Sequence, residues 1–456
     1  AVSRDGSRAL YLADQDRRNI FELYSAPVAG GEPAIKLNAP LGVNQYVYSL
    51  AVADGDRVVF LVAFAARFVV GGPAPPAPVR LSHAGASIRD FAMTADGRRA
   101  VYGLAAGTAP RDLFSVSLQR PGVAQRLTEV ASGESASSFA IGPDSARVAY
   151  ILDGQGDPQL YSVPISGGPR TRLDHGAFVE GFQFTPDSQR VVYQAYADEE
   201  AEEVEELFSV ESDGGPAPVK LSLPLDDGMV LDDVTSFRFG ARGTRGTFVV
   251  ERYDDYEELH GVRLEPRTRP VRLATAERFE AAPGSPSAVL TSPDEEWVAY
   301  TIRDGGDGGG YFWLFGVPMD GSRAPEQLHP HPVTGVRFGP DGRTLFYSEA
   351  GGGTGVYRVP VDSSEPGHEL TGWEMGDALP FELSPDGSTL VVLTDALVAG
   401  HYQLFSLPSD GSSPPVRLND LTAPHGSRSY PFQITADGTR VIYATDEVTD
   451  QAVELF

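Results

Sequence analysis

The residues that could act as catalytic groups are few, and each fits a structural role better. Ser135 stands at the centre of Gly-Glu-Ser-Ala-Ser, which lacks the second glycine of the Gly-x-Ser-x-Gly elbow that exposes a hydrolase nucleophile. The serine of the Leu-Phe-Ser motif, as at Ser209 and Ser406, recurs at one position of a strand, which indicates a structural role. The chain has no cysteine, so thiolate catalysis and thiolate metal sites are excluded. The sequence therefore predicts no catalytic residue.

Two segments have residue types that bind metals, but neither has a complete ligand set. His329 and His331 are each followed by proline and have no third ligand nearby in the sequence, which favours a solvated loop. The segment 304–310, Asp-Gly-Gly-Asp-Gly-Gly-Gly, lacks the third oxygen-bearing position and the closing glutamate of a calcium loop. We expect it to be a hairpin tip. No metal and no cofactor are predicted.

Two acidic segments interrupt the pattern of the chain. Residues 198–206 contain six glutamates, and residues 254–258 read Asp-Asp-Tyr-Glu-Glu. Both are expected in the loop between the second and third strands of successive repeats, on the same face. Such loops can form a surface for a basic partner, or they can be solvated charge runs. The candidate partner-binding residues are Glu202, Glu203, Glu205, Glu206, Asp254, Asp255, Tyr256 and Glu258.

These segments are positioned by a repeat whose clearest copy is Phe381 to Asn419. An alternating strand ends at the turn Pro-Asp-Gly, and an apolar β-branched strand follows. A Leu-Phe-Ser strand, a second Asp-Gly turn and a short strand ending in Arg-Leu-Asn complete the unit. Each copy is predicted to be a four-stranded antiparallel meander.

The first turn of this unit recurs ten times, at intervals of blade length, and its aspartate is expected to cap the turn through the backbone. An aromatic residue closes the following strand in most copies, and the phase of the repeat places it between sheets, as at Tyr150 and Tyr347. Leu-aromatic and Arg-Leu markers keep the same phase. The anchor positions are Asp5, Asp54, Asp96, Asp144, Asp187, Arg242, Asp294, Asp341, Asp386 and Asp437. Because a meander has two apolar faces, copies must stack face to face. We expect an all-β β-propeller over residues 1–456 with about ten repeats, as one ring; two smaller rings or an eight-bladed ring with divergent extra copies are the alternatives.

The blocks Ser-Pro-Asp-Gly at 384–387, Gly-Pro-Asp-Gly at 339–342 and Ser-Pro-Asp at 292–294 resemble the WD40-like propeller repeat of TolB. The resemblance covers essentially the whole chain. Similar repeats build the propeller domains of prolyl oligopeptidase, dipeptidyl peptidases and tricorn protease. TolB has a small α/β domain ahead of its propeller, and no segment here corresponds to it, which argues against transferring the TolB role directly.

The net charge of the chain limits the classes of partner that it is expected to bind. With 63 acidic against 36 basic residues, the formal charge is −27, so nucleic acid and anionic lipid surfaces should repel the chain. No apolar run approaches the roughly 18 to 20 residues that span a bilayer.

We therefore expect a non-catalytic propeller scaffold that binds another protein. The TolB resemblance implies a periplasmic or extracellular location. The alternative is an accessory propeller domain of a prolyl-oligopeptidase-like serine hydrolase whose catalytic domain is absent from this chain. Sugar binding would need clustered aromatics and paired carboxylates, which the sequence does not single out. Partner identity and oligomeric state are not specified by the sequence.

Overall fold

The computed structural model describes residues 1–53, 57–62, 67–71, 79–81, 87–105, 111–120, 122–154, 156–175, 178–198, 201–222, 233–252, 256–264, 269–283, 285, 287–303, 311–350, 355–373, 378–397, 402–419, 432–445 and 454–455. Within these ranges the regular elements are all strands, as predicted. The chain groups into two compact units, Ala1–Lys220 and Leu221–Phe456, and each is described by itself. The assignment of residues 1–456 to a single domain stays a prediction.

The first unit contains strands β1 to β19. They are β1 Arg8–Ala13, β2 Glu22–Pro27, β3 Ile35–Lys36, β4 Val47–Val52, β5 Val58–Val62, β6 Arg67–Gly71, β7 Val79–Arg80, β8 Ser87–Met93, β9 Arg99–Ala105, β10 Asp112–Ser117, β11 Ala124–Arg126, β12 Ser135–Ile141, β13 Arg147–Asp153, β14 Gln159–Pro164, β15 Thr171–Arg172, β16 Val179–Phe184, β17 Arg190–Asp198, β18 Ala201–Glu211 and β19 Val219–Lys220. Sheet β1–β3 has three strands, and β4–β7, β8–β11, β12–β15 and β16–β19 are four-stranded antiparallel meanders.

The second unit contains strands β20 to β38. They are β20 Asp233–Phe239, β21 Arg245–Arg252, β22 Tyr256–Arg263, β23 Val271–Ala276, β24 Val289–Thr291, β25 Trp297–Arg303, β26 Phe312–Pro318, β27 Glu326–Gln327, β28 Val333–Phe338, β29 Thr344–Glu349, β30 Val356–Pro360, β31 His368–Glu369, β32 Ala378–Leu383, β33 Thr389–Thr394, β34 Gln403–Pro408, β35 Val416–Arg417, β36 Phe432–Ile434, β37 Val441–Thr445 and β38 Glu454–Leu455. Its sheets are the meanders β20–β23, β24–β27, β28–β31 and β32–β35, with the three-stranded β36–β38.

The expected number of about ten blades is wrong. Eight of the ten sheets formed by the described residues are four-stranded β-propeller blades, and the first and last sheets have three strands. In the first sheet, the innermost strand is reduced to a single bridge between Val2 and Ala9. The turn marker counts hairpins, and a hairpin forms whether or not the other strands of a blade are present. The ten turns therefore overstate the number of complete blades.

The anchor aspartates cap their own turns. Asp187 Oδ1 accepts the backbone N–H of Gln189 at 3.0 Å, and Asp386 Oδ1 accepts that of Ser388 at 3.0 Å. The same bond to the residue two positions on is made by Asp5, Asp96, Asp144, Asp294, Asp341 and Asp437. Hydrogen bonds from the Ser384 hydroxyl and from Ser388 hold the pKa of Asp386 at about 2. Asp54 lies outside the described residues.

The aromatic residue of the second strand stacks on the aromatic residue of the third. Tyr150 and Tyr161 have ring centroids 5.8 Å apart, and Tyr347 and Tyr357 have theirs 5.6 Å apart. Similar pairs are Tyr11–Tyr24, Tyr102–Phe114, Tyr193–Phe208, Phe248–His260 and Tyr300–Phe315. The prediction that Tyr150 and Tyr347 lie between sheets is confirmed, since both are fully buried in clusters shared by adjacent blades.

The repeated serine has the structural role predicted for it in four sheets. Arg190 at the start of β17 donates from Nε to the hydroxyl of Ser209 at 2.6 Å, and Arg147 does the same to Ser162 at 2.7 Å. The pairs Arg8–Ser25 and Arg99–Ser115 repeat the bond. These serines are completely buried, and each hydroxyl accepts a hydrogen bond from the Nε–H of a half-buried arginine. Ser406 is half-buried.

Candidate functional site

The first acidic segment forms a long hairpin, and the expectation of an enlarged loop is wrong for its described residues. Strands β17 and β18 pair from Tyr193, opposite Phe208, as far as Asp198, which is five residues further. In the neighbouring blade, pairing continues only two residues past the equivalent Tyr150, to Leu152. At about 3.3 Å per residue, the hairpin extends about 10 Å further. Cross-strand backbone bonds thus hold a glutamate-rich strand whose side chains disfavour β structure.

The glutamates of this hairpin differ in environment. Glu202 and Glu203 lie in β18, and Glu205 is half-buried and accepts a hydrogen bond from Gln194 at 3.2 Å. Glu206 is buried and is ion-paired with Lys220. Glu206 is therefore paired with Lys220, an exposed residue of β19, and does not offer a free carboxylate to a partner.

The ion pair at Glu206 belongs to the repeat. In the first sheet Glu22 occupies the equivalent position before the Leu-aromatic pair, and Lys36 approaches it at 3.2 Å. Asp112 pairs in the same way with Arg126 at 2.6 Å. An acid that precedes the Leu-aromatic pair is thus positioned to meet the cation of the following Arg-Leu or Lys-Leu marker. The sequence contained this signal, because the two positions are always fourteen residues apart in these three repeats.

Aromatic side chains lie beside the long hairpin. Phe178, just before β16, packs edge-on against Tyr196 of β17 with ring centroids 5.4 Å apart. Phe178 remains 36% exposed, and its carbonyl accepts the Tyr196 N–H at 3.2 Å. An exposed aromatic ring beside a glutamate-rich hairpin suits an interface with a cationic partner.

The second acidic segment is also largely internal where it is described. Asp254 and Asp255 lie outside the described residues, and Tyr256 is a half-buried residue at the start of β22. Glu258 is buried, and Arg252 and Arg272 donate to its carboxylate at 2.6 Å and 2.8 Å.

Glu258 is held ionised by these neighbours. Burial raises the pKa of Glu258, but hydrogen bonds from Arg272, Arg252 and His260 outweigh it and lower the pKa to about 2. His260 Nε2 lies 3.1 Å from the same carboxylate, and burial holds the pKa of His260 below its usual range. The Glu258 carboxylate is thus paired on both oxygens, within a network that extends from the buried His260 to the exposed guanidinium of Arg272. Residues 198–206 belong to the first unit and 254–258 to the second, so a surface shared by both segments stays a prediction.

The histidine pair is only partly the solvated loop that the sequence indicated. His331 is exposed, but His329 is 7% exposed and its Nδ1 lies 2.9 Å from the Tyr347 hydroxyl. His329 Nε2 lies 3.6 Å from Glu349, beyond hydrogen-bond range. Burial, assisted by His331 and opposed by Glu349, holds the pKa of His329 below its usual range. A tyrosine thus replaces solvent as the partner of this imidazole.

The described residues support no catalytic or metal-binding role for the remaining candidates from the sequence. Ser135 begins β12 and does not lie in a connection between blades. Among the described residues, no group of three or more histidine, aspartate or glutamate side chains is arranged to hold a metal ion. Residues 304–310 lie outside that part of the chain. No helix in the described ranges is long and apolar enough to cross a bilayer.

Sequence reasoning missed a cavity in the second unit whose described lining includes three arginines. Arg245, Arg263 and Arg269 line a volume of about 210 Å³ between the β20–β23 and β24–β27 blades. Its signal in the sequence was a local excess of arginine between residues 263 and 272 in a strongly acidic chain.

The comparisons with known proteins bear on the fold of the chain and not on its function. No protein-family model matches the chain, and no curated protein matches it significantly. The resemblance to TolB-type repeats therefore stays unconfirmed. A eukaryotic initiation factor structure aligns over 91% of this chain and 96% of its own, with 12% identity and a TM-score of 0.54. The chain has a β-propeller fold.

Two further solved structures give lower similarity. Dipeptidyl peptidase 4 of Porphyromonas gingivalis aligns over 88% of this chain and 64% of its own length, with 12% identity and a TM-score of 0.49. Oligogalacturonate lyase of Vibrio parahaemolyticus aligns over 77% of this chain and 96% of its own, with 11% identity and a TM-score of 0.41. At these identities the likeness concerns the fold of the propeller, and function has to be argued from the residues of this chain.

Proposed function

We propose that this propeller is a non-catalytic interaction module that binds a basic protein through the β17–β18 hairpin. The supporting observation is the reach of that hairpin, about 10 Å beyond the neighbouring one. Strand β18 of the hairpin contains Glu202, Glu203 and Glu205, and Glu206 is ion-paired with Lys220. Hairpin length is fixed by backbone pairing, so the backbone of this glutamate-rich strand is held at a defined height above the blade.

The chemistry of the hairpin favours a cationic partner. Three glutamates in four positions create a local negative potential, and the net charge of −27 extends it over the molecule. Such a field accelerates association with basic proteins and repels nucleic acid and anionic membranes. Phe178, exposed beside the hairpin, adds an aromatic contact surface that a charged loop alone would not have. We place this interaction in the periplasm or outside the cell, as the resemblance to TolB-type repeats implies.

The test uses a defined cationic probe, a lysine-rich decapeptide, and measures association with the full chain at low and high salt. The E202Q/E203Q/E205Q variant should bind the peptide several-fold more weakly at low salt and with a flatter salt dependence. The matched control, E32Q/E129Q/D213N, removes three exposed carboxylates elsewhere in the same unit and should bind like the wild type. Equal weakening in both variants would show that net charge acts without a site, and the proposal would be wrong.

A second arm separates the aromatic contribution. F178A should weaken binding of a peptide that alternates lysine and tyrosine more than it weakens binding of the all-lysine peptide. Adding D254N/D255N to the hairpin variant tests whether the second acidic segment belongs to the same surface. No further loss on that addition would confine the site to the first unit.

A further inference from the structure

The outermost strand of the β20–β23 blade is longer than those of the other blades. Strand β23, Val271–Ala276, has six residues and ends its sheet. The outermost strands of the other four-stranded blades have two or three residues each; these are β7, β11, β15, β19, β27, β31 and β35. Because an edge strand has a row of unpaired backbone N–H and C=O groups, short edge strands limit pairing with other molecules. Strand β23 is therefore the longest outer edge among the described blades.

The charges on this edge also differ from those of the other blades. Each of the seven short outer strands contains a lysine, an arginine or a glutamate, and a charged edge discourages pairing with another strand. In β23 the charged residue is Arg272, and the four residues after it, Leu-Ala-Thr-Ala at 273–276, are uncharged. Glu277 follows directly and is exposed. The edge is thus an uncharged run with a cation at one end and an anion at the other.

The register of the blade determines which backbone groups of β23 face outward. Thr275 is the register partner of Glu258 in β22. In the equivalent sheet β12–β15, the carbonyl of Leu160, which corresponds to Leu259, accepts the N–H of Leu173 at 2.8 Å. The backbone groups of Leu259 therefore point towards β23, and those of the preceding Glu258 point towards β21, because successive residues of a strand alternate. Thr275, opposite Glu258, directs its N–H and C=O away from the sheet.

A β-bulge changes the alternation of side chains along β23. Arg272 pairs with His260 and Ala274 pairs with Leu259, so Leu273 has no register partner in β22. Leu273 is 4% exposed and packs in the apolar cluster shared with the next blade. The bulged residue thus turns inward, and Arg272 and Ala274 point to opposite faces of the sheet although they are two residues apart.

As a result of the bulge, the edge is complementary to itself. Arg272, Thr275 and Glu277 lie on one face of the strand, and the small residues Ala274 and Ala276 lie on the other. In an antiparallel pair of two copies that places Thr275 opposite Thr275, Ala274 lies opposite Ala276. Arg272 then lies opposite Glu277, once at each end of the pair. Opposite charges and threonine pairs directly across two strands stabilise a sheet, and alanines allow close approach of the backbones.

We propose that two copies of this chain pair antiparallel through β23, with a two-fold axis at Thr275, and form a symmetric homodimer. The same patch is used on both copies, as two-fold symmetry requires. The outward N–H and C=O of Thr275 bond those of Thr275 of the partner subunit, and the two four-stranded blades become one continuous sheet. Main-chain hydrogen bonds supply the affinity in this mode of strand addition, and the side chains opposite each other select the register.

The charges of the chain are compatible with this dimer. The net charge of −27 opposes association of two copies, but at physiological salt such repulsion is screened beyond about 8 Å, so the charges at the edge dominate. Arg272 keeps its 2.8 Å contact with Glu258, and its side chain is 63% exposed. The remaining N–H groups of its guanidinium can therefore meet Glu277 of the partner subunit. Because the paired edge is short, the dimer should be reversible.

Sedimentation equilibrium of the full chain over a wide range of concentration tests the dimer. The wild type should shift reversibly from the chain mass of 48.7 kDa to twice that mass as the concentration rises. T275P removes the outward N–H, which the β22 ladder does not use, so it should fold and stay monomeric. T275K places like charges opposite each other at the two-fold axis and should weaken association about tenfold or more. A monomeric wild type, or a T275K that dimerises like the wild type, overturns the proposal.

A matched control and hydrogen exchange locate the interface. V416K introduces a lysine at an exposed position of the outermost strand β35 and should dimerise like the wild type. The Thr275 amide should exchange more slowly in concentrated than in dilute wild-type protein, and an unchanged rate in a protein that dimerises would place the interface elsewhere and overturn the proposal. T275K leaves the β17–β18 hairpin unchanged and should bind the lysine-rich peptide like the wild type, so the dimer and the proposed function are tested independently.

Discussion

Glu295, in the turn between β24 and β25, accepts the backbone N–H of Arg242 in the neighbouring blade at 2.7 Å. The same carboxylate accepts the N–H groups of Thr244 and Arg245 at 3.2 Å and 3.0 Å. In other blades an aspartate caps this turn from within, but here the anchor position is Arg242. The adjacent blade supplies the missing acceptor, so a repeat that looks decayed in sequence is completed in three dimensions.

A swap of two residues should test this relationship. E295G removes a buried acceptor shared by three backbone N–H groups in partly buried hydrogen bonds and should cost about 1–3 kcal/mol. Glycine itself suits the site, since Glu295 has a φ of 61°. Adding R242D to E295G rebuilds the aspartate-glycine pattern of the other turns and should recover most of the loss in equilibrium urea unfolding. R242D alone should destabilise, because two carboxylates would then share one turn. A double variant no more stable than E295G would contradict the exchange of roles.

The buried tyrosines of the second strands should dominate local stability. Y150A and Y347A each remove a fully buried ring that stacks on a partner, and each should cost about 3–5 kcal/mol. Y311A, at a position where the ring is more than half exposed, is the control and should change the unfolding midpoint little. Midpoints for Y150A and Y347A that match the control would show that the rings contribute no packing.

Acid should destabilise the second unit through its buried histidines. Burial holds the pKa of His329 and His260 below the usual value of about 6.5, so both take up protons more readily when unfolded. Their contribution is fully present above about pH 6.5 and is lost as the pH falls towards their folded values. The melting temperature should therefore drop between about pH 7 and 5.5.

Histidine variants test which residues cause this pH dependence of the melting temperature. H329Q/H260Q should flatten the pH dependence of the melting temperature, whereas H331Q, at an exposed position, should preserve it. A wild-type protein that melts at one temperature across this window would refute the burial argument.

The glutamate network of the second unit should respond to a different acid range. The pKa of Glu258 is about 2, against about 4.5 when unperturbed, so its contribution is present above about 4.5 and is lost as the pH falls towards 2. E258Q leaves Arg252 and Arg272 without their carboxylate and should cost about 1–3 kcal/mol at neutral pH, less than a fully buried pair because Arg272 reaches solvent. E277Q, at an exposed position of the same unit, should cost much less. Equal losses in E258Q and E277Q would argue against a network.

The sequence by itself determined the repeating architecture of this protein. Alternation, Asp-Gly turns and the Leu-aromatic marker are local signals, because a strand pair and its turn are specified by neighbouring residues. They predicted the meanders, the self-capped turns at Asp187 and Asp386, the structural serines and the burial of Tyr150. They could not count complete blades, since the turn signal is the same in a three-stranded sheet.

Only the tertiary structure decided which charged side chains are buried and which are ion-paired. Glu206 and Glu258 have the same local sequence character as exposed glutamates, yet pairing in register places them inside a blade against Lys220 and Arg272. The arginine-lined cavity and the contact between Glu295 and Arg242 both join different blades, so residues about fifty positions apart in sequence meet there. Burial, charge compensation and cavity shape arise from such distant contacts, and a linear pattern does not contain them.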